Sequence, residues 1–364
     1  VGGFRQEYDG AQDYDFIFRC KEKAKEIRHI PKVLYHWRCH KDSTASNPES
    51  KLYAFDAGAR AIMDHYKRVG IEAERVEKGV DYGIYHSVYK IQGEPLVSII
   101  IPNKDEKETL EKCLASIREK TTYENYEIIV VENNSEEQKT FDYYDEINGK
   151  DKVKVVKYPE KGFNYSKIIN YGVVNSEGEY IIQLNNDTEL ITPNWIEEML
   201  GFAQREDVGA VGAELFYPDK SIQHAGIIIG IGGVAGHVFR NIPHGMHGYF
   251  SKDAMIQNMS AVTAACMMAP RKMYEVVGNM DEKFEVAFND VDFCLKIREQ
   301  GKLIVYNPYV QFIHYESKSR GFEDTIEKQK RFQGEIERFK KRWKKILKDG
   351  DPYYNINLRL DNDQ

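Results

Sequence analysis

No stretch of the 364 residues approaches the roughly 18 to 20 unbroken apolar residues that a membrane-spanning helix needs. Cysteine is scarce: five residues, at positions 20, 39, 113, 266 and 294, odd in number and with no C-x-x-C pair. That argues against a disulfide scaffold and a cysteine-rich zinc site, and points to a reducing cytoplasm. Basic residues are not in excess, with 51 Lys and Arg against 58 Asp and Glu and a net charge of -7. A protein that coats nucleic acid would show the opposite balance, so no nucleic-acid partner is expected. No G-x-x-x-x-G-K-[ST] loop is present to cradle phosphate through backbone amides. The chain opens with Val1-Gly2-Gly3-Phe4, without an initiator Met or a signal peptide, and reads as a piece of something longer. What it does have is core-forming material: 41% hydrophobic and 12% aromatic residues, over a length fit for at most about three domains.

A partial repeat links the N-terminus to the C-terminal third. Asp13-Tyr14-Asp15-Phe16, Arg19, Pro31 and His36 run in the same order as Asp290-Val291-Asp292-Phe293, Lys296, Pro308 and His314. Four ordered matches within one residue of register predict that residues 1–48 are the C-terminal remnant of a preceding homologous domain. Residues 49–95 then read as a helix from Ala54 to Val69, closed by Gly70, followed by a linker.

From Leu96 the pattern changes to alternating strands and helices. Val97–Ile101, Ile128–Val131, Val153–Val156 and Tyr180–Leu184 are short apolar, β-branched runs of the kind buried in parallel sheets. Helical spacing separates them, and Trp195–Phe202 reads as a further helix with Pro193 in its first turn. The expectation is an open, mostly parallel sheet covered on both faces, with ligands beyond the carboxyl ends of the strands. Three of those ends are polar: Pro102-Asn103-Lys104-Asp105, Glu132-Asn133-Asn134-Ser135 and Asn185-Asn186-Asp187. Polar loops of this kind also cap helices, but three on one rim favour a binding cleft. Gly230–Gly236 mimics a dinucleotide fingerprint but no helical pattern follows it. Without glycine-loop amides a diphosphate needs a cation, for which Asp187 is a good ligand and His314 a second contact.

With these landmarks in view, Leu96 to about Gly321 resembles a family 2 glycosyltransferase. The resemblance rests on VSIIIPNKD, IIVVENNS, GFNYSKIINYG, LNNDTEL, FNDVDFCLK and HYESKSRG, weak singly and strong in this order and spacing. It implies an α/β fold of the GT-A type, with helices on both faces of a mostly parallel central sheet, preceded here by an N-terminal partial domain. It implies transfer of a sugar from a nucleoside-diphosphate-sugar donor to a glycan or lipid-linked saccharide acceptor, with inversion, in cell-surface polysaccharide synthesis. By the same resemblance Pro102, Asn103, Asp105 and Glu132 hold base and ribose, and Asn164 and Asn170 lie on the nucleotide side. Asn186 stands where a ribose-binding acid is usual, and Asp187 keeps the carboxylate expected to hold Mg²⁺ or Mn²⁺, with His314 beside it. Asp290 matches the general base, with Asn289 in place of the acid that normally precedes it.

Each assignment has a plainer counterpart. Asp290 would serve equally as the N-cap of the helix carrying Phe293, and His314 as a hydrogen-bonded structural histidine. Lys318 and Arg320 either balance diphosphate charge or belong to a solvated loop. His224, His237, His244 and His247 crowd one segment at spacings that fit no familiar zinc pattern, and a loop over the site is the better expectation. Trp195 stacks on a sugar or packs in the core. Met255, Met259, Met267 and Met268 are expected to pack an acceptor-side core.

The domain plan is therefore 1–48, 49–95, a glycosyltransferase-like domain over 96–325, and a basic amphipathic helix and tail over 326–364. In that helix Phe332, Ile336, Phe339, Trp343 and Ile346 form one stripe, and Arg338–Lys348 holds seven basic residues and no acidic one. Docking on its own domain is the favoured reading. The other is peripheral contact with an anionic membrane at the inner face. Two rival functions remain open: a degenerate module that binds glycans or a partner without turnover, and a nucleotidyltransferase, for which Asn103–Glu108 lacks the glycine- and basic-rich loop.

Overall fold

In the computed structural model, residues 1–36, 52–316 and 325–361 are described, and the chain divides into two compact units, Val1–Lys90 and Ile91–Gln364. In the first unit α1 (Gln12–Lys21) packs on α2 (Leu52–Val69), and an antiparallel ribbon follows, β1 (Ala73–Lys78) against β2 (Tyr85–Tyr89). Residues 71–95, expected to be a linker, thus carry two strands. The reason they escape notice is that β1 buries almost nothing and shows no apolar alternation to read. In α1, Asp15 is fully buried, an expensive place for a carboxylate. Burial alone would raise its pKa, but hydrogen bonds from Arg5 and Arg19 hold it below the ordinary value.

The second unit opens with β3 (Val97–Asn103), α3 (Lys107–Lys120), β4 (Tyr126–Glu132), α4 (Gln138–Ile147), β5 (Val153–Lys157), α5 (Tyr165–Val174) and β6 (Tyr180–Leu184). Strands β6, β3, β4 and β5 lie side by side in that order, all parallel. Ile99, Ile100 and Ile101 are all fully buried although successive side chains point to opposite faces, so both faces of β3 are covered. Helix α5 approaches so closely that a Cβ on Gly172 would meet Ile100 Cγ2 at 2.4 Å.

Beyond β6 come β7 (Thr188–Leu190), α6 (Trp195–Ala203), β8 (Val208–Phe216), β9 (Ile222–His224), β10 (Ile227–Ile229), β11 (Ala235–His237), β12 (Gln257–Met259) and β13 (Cys266–Pro270). Helices α7 (Arg271–Val277) and α8 (Asn289–Glu299), strand β14 (Leu303–His314), and helices α9 (Ile326–Arg342) and α10 (Lys344–Asp349) complete the chain. Strand β13 pairs antiparallel with both β6 and β8, and β8 runs parallel to β14. The parallel character seen in the sequence therefore belongs to the first four strands, and β13 splices a mixed half onto them. Trp195 is fully buried, donating from Nε1 to Thr121 Oγ1 at 2.9 Å and meeting Phe312 edge-on, so it packs the core rather than stacking on a sugar. Met259, Met267 and Met268 are core residues, while Met255 is half-buried. Pro193 lies ahead of α6, outside its first turn.

The C-terminal helix docks on this unit. Phe339 is fully buried and Trp343 nearly so, within the same core as Phe284 and Phe293. Trp343 Nε1 donates to Asp292 Oδ1 at 2.9 Å, and Arg342 Nη1 lies 3.1 Å from the same oxygen. This is the docking that the sequence favours: Phe339 and Trp343 are covered by protein, Ile336 and Ile346 are partly buried, and Phe332 is 36% exposed. No described helix is long and apolar enough to cross a membrane.

Candidate active site

A cleft of about 390 Å³ opens at the carboxyl ends of β3 and β6, lined by Pro102, Asn185, Asn186, Asp187, Asp290 and His314 among others. All six positions come from four separate motifs of the sequence, and the fold brings them to one place.

Behind the rim, Asn186 Nδ2 donates to Asn103 Oδ1 at 2.5 Å, and Asn103 Nδ2 donates to Tyr144 Oη at 2.7 Å and to the Asp105 carbonyl at 2.8 Å. Ser135 extends this network: its N–H donates to Glu132 Oε1 at 2.6 Å and its hydroxyl meets Tyr144 Oη at 3.2 Å. Glu132 is buried and its second oxygen, Oε2, has no partner, which leaves a strong acceptor waiting for a donor. Asp105 takes a left-handed backbone and accepts from the amides of Glu136 and Glu137 at 2.8 and 2.9 Å, fixing the turn between two strand ends.

Asn164 and Asn170 do not line the cleft. Asn164 caps α5, accepting from the Lys167 amide at 3.0 Å, and donates to the Glu282 carbonyl at 2.8 Å. Asn170 exchanges two hydrogen bonds with the Met280 backbone, at 3.0 and 3.1 Å. Both tie α5 to the segment that leads into α8.

His314 has a fixed tautomer. Gln223 donates from Nε2 to the His314 carbonyl and to Glu316 Oε2, so its Oε1 faces His314 Nδ1 at 2.6 Å and accepts the proton there. Nε2 is thereby left as an acceptor. Asn185 Nδ2 donates to it at 3.2 Å, and Asp187 Oδ1 lies 3.1 Å away, buried and without a hydrogen-bond partner. Two acceptors, a ring nitrogen and a carboxylate oxygen, face each other, an arrangement that a cation would satisfy. Neighbouring ligands on an octahedral divalent ion at about 2.1 Å stand about 3 Å apart, so this donor pair fits such an ion. Among the described residues no group of three or more His, Cys, Asp or Glu side chains is placed to hold a metal.

Asp290 is in the first turn of α8 but is not its cap. That place is taken by Phe288, a bulky residue held at φ +61°. Asp290 accepts from the Ala264 amide at 3.1 Å through Oδ2 and from its neighbour Val291 at 2.8 Å through Oδ1. Burial raises its pKa above the ordinary carboxylate value, against the pull of those bonds. Tyr165, which lines the cleft, donates to the Ala264 carbonyl at 3.3 Å, and burial with Asp290 nearby pushes its pKa well up.

Several contributors were not legible in sequence. Glu335 of α9 accepts from the amides of Val286 and Ala287 at 2.9 and 3.3 Å, and Phe332 of the same helix stacks on Phe288, so α9 buttresses the loop before Asp290. The four histidines do not gather. His224 meets His237 at 2.9 Å, His247 pairs with Asp253 at 2.8 Å, and His244 lies near Phe216. Lys318 and Arg320 lie outside the described residues.

Residues 98–277 match the sequence profile of glycosyl transferase family 2, and the remaining landmarks follow in order on the same unit. Through residues 98–277 this chain belongs to glycosyl transferase family 2. Over 364 residues it is 44% identical to the uncharacterized protein y4gI of Sinorhizobium fredii, covering 99% of this chain and 40% of that one. Over 362 residues it is 35% identical to the O-antigen biosynthesis protein RfbC of Myxococcus xanthus, covering 99% of this chain and 28% of that one. The chain thus spans well under half the length of these relatives. A solved structure of GalNAc-T7 with UDP, GalNAc and Mn²⁺ shares the fold, with a TM-score of 0.57 and 16% identity over 73% of this chain and 51% of that one. The profile match ends before α8, so Asp290 and His314 enter the site from chain beyond it.

Proposed function

We propose that this glycosyltransferase moves a sugar, with inversion, from a nucleoside-diphosphate-sugar to a hydroxyl of a glycan or lipid-linked saccharide, in the assembly of a cell-surface polysaccharide. The observation that carries this reading is the meeting, in one cleft, of the Asp187–His314 donor pair with a carboxylate of raised pKa, Asp290. The O-antigen relative supports the class of product.

Pro102 and Asn186 form the rim for base and ribose, Asn103 supports Asn186 from behind, and Glu132 Oε2 accepts from a ring N–H or a ribose hydroxyl. Asp105 acts through the turn it fixes, while Asn164 and Asn170 act by anchoring α5 to the acceptor-side segment. Asp187 Oδ1 and His314 Nε2 would hold Mg²⁺ or Mn²⁺, which supplies positive charge against the diphosphate leaving group; the fold neighbour carries Mn²⁺ with UDP. Asp290 takes the proton of the acceptor hydroxyl as its oxygen forms a bond to the anomeric carbon, while the bond from that carbon to the diphosphate oxygen breaks. The products are the new glycoside, the nucleoside diphosphate and the proton on Asp290. Its raised pKa makes it a better base than an exposed aspartate, and the Ala264 amide holds it in place.

Residues 1–48 fit the remnant of a preceding domain of the same kind. Asp13 and Asp290 each occupy the second position of a helix and accept from the next amide at 2.8 Å, and Asp15 and Asp292 are both fully buried. Ile27, Ile30, Val33, Leu34 and Tyr35, which the repeat aligns with β14, are exposed. The strands described in the first unit, β1 and β2, pair antiparallel.

The test is calorimetric titration of UDP, dTDP, GDP and CDP, each with and without Mn²⁺, on wild type and Asp187→Ala. Metal-dependent binding of one nucleotide, lost in the variant, is the expected result. No binding of any nucleotide would turn the chain into a binding module, a reading that the asparagines at 185, 186 and 289 would then explain.

A further inference from the structure

The apolar stripe of α9 does not end in the core. Trp343 and Phe339 are buried and Ile336 is partly so, but Phe332, one helical turn before it, is 36% exposed and lines the cleft. Folding gains least from this member of the stripe, since much of its ring stays in water. The ring lies on Phe288, with centroids 5.9 Å apart and planes within 18° of parallel, and Phe288 in turn lies 5.2 Å from Phe339. Phe288 also lines the cleft, and does so from a left-handed backbone, φ +61°, that costs a bulky residue energy. Glu335 ties the same loop to α9 by accepting from the Val286 and Ala287 amides. Strain of this kind persists only where its surroundings over-determine it, and it gathers at functional sites. What it secures here is a flat aromatic surface two residues ahead of Asp290.

We propose that Phe288 and Phe332 form the acceptor platform, an aromatic wall on which a pyranose ring of the acceptor stacks while one of its hydroxyls meets Asp290. The inference rests on the reading of Asp290 as the base. Nucleotide and diphosphate are assigned to the strand ends at Pro102, Asn186 and Asp187, which leaves the α9 side of the cleft to the acceptor. A pyranose has two unlike surfaces, a face of C–H groups and an edge of hydroxyls. The negative face of an aromatic ring attracts the C–H hydrogens. The hydroxyl edge then turns to the polar groups that line the same cleft, Asp290 and Glu316 among them. A polyprenyl chain has no such edge, and lying there it would strip water from those carboxylates without replacing its hydrogen bonds. The wall therefore selects a saccharide unit, and not the lipid part of a lipid-linked acceptor, as the group beside the reacting hydroxyl.

The test compares Phe332→Tyr, which keeps the ring, with Phe332→Leu, which keeps an apolar side chain without one. The whole chain, with Mn²⁺ and the nucleotide that binds by calorimetry, is probed by saturation-transfer NMR. The probes are the methyl glycosides of glucose, galactose, mannose, N-acetylglucosamine and rhamnose, with geraniol as a short polyprenyl. At least one glycoside is expected to receive saturation, strongest at the hydrogens of a single ring face, and geraniol is expected not to displace it. Phe332→Tyr should bind that glycoside as wild type does, and Phe332→Leu about three- to tenfold more weakly. Nucleotide affinity and Tm are expected to stay near wild type in both variants, because the ring is already 36% exposed. Saturation of no glycoside in wild type, equal glycoside binding with leucine in place, or displacement by geraniol would overturn the platform while leaving nucleotide binding and the wider reading intact. Failure of wild type to bind any nucleotide would remove both.

Discussion

Replacing Asp290 with Asn separates the chemistry of this residue from its structural part. The amide keeps the shape and one oxygen but cannot take a proton, and loss of a positioned general base slows a reaction by about 10²- to 10⁴-fold. The structural cost is smaller. Asp290 uses both oxygens, on the Ala264 and Val291 amides, so Asn leaves one of them facing an NH₂ group, at about 1–3 kcal/mol. Relief from burying a charge offsets part of that, because burial already raises the pKa of this carboxyl. A shift of only a few degrees in Tm is expected. The pH profile carries the sign. Wild-type kcat/KM should fall as pH drops through an apparent pKa above the ordinary carboxylate value of 3.8, because the base is lost on protonation. The variant should lack that limb. The assay is release of nucleoside diphosphate against pH, with donor affinity measured separately and expected to be unchanged. A variant that turns over within tenfold of wild type, with the acid limb intact, would refute the assignment of the base.

Other consequences follow from buried carboxyls elsewhere in the unit. Glu335→Gln leaves either the Val286 or the Ala287 amide without its acceptor, at about 1–3 kcal/mol, and loosens the loop that carries Phe288. It should lower Tm and kcat together while leaving nucleotide affinity, measured by calorimetry, at the wild-type level. Glu214 on β8 is pushed up to about 8 by burial, against a hydrogen bond from Gln311. Between its ordinary value and about 8 the folded state keeps a proton that the unfolded state releases. Stability should therefore fall as pH rises across that window, by up to about 1.4 kcal/mol per pH unit. Glu214→Gln should flatten this slope in urea titrations, and an unchanged slope would show that Glu214 ionises freely.

Sequence legibility followed the kind of contact involved. Strands β3, β4 and β6 were readable because burial on both faces demands unbroken apolar runs, and that demand is local. Pro102, Asn186, Asp187, His314 and Asp290 were readable as members of ordered motifs, and the fold places them in one cleft. Asn164 and Asn170 carried the same kind of signal, yet their partners lie more than a hundred residues away at Met280 and Glu282, and nothing in sequence marks a carbonyl that far off. The stripe of α9 showed that a face must be covered without showing by what. Membrane and protein make the same demand on Phe339 and Trp343, and only Asp292 and the loop at 286–288 decide between them. The pairing of His224 with His237 depends on β9, β10 and β11 folding back on one another, which four scattered histidines do not announce.

The segment Thr263–Ala265 is held almost entirely through its backbone. The Thr263 amide reaches His224, the Ala264 amide reaches Asp290, the Ala264 carbonyl accepts from Tyr165, and the Ala265 carbonyl accepts from the Asn185 amide at 3.1 Å. The Asp290 carboxylate, Tyr165 and the strand end that carries Asn185 thus share one stretch of main chain, and their relative heights are set by peptide spacing rather than by side-chain reach. Substitutions at Ala264 or Ala265 act on this arrangement only by crowding it. Removing one residue is a different event, because it slides every amide by one place and turns alternate groups to the opposite face. The cleft is therefore tolerant of changed spelling along this stretch and intolerant of changed length.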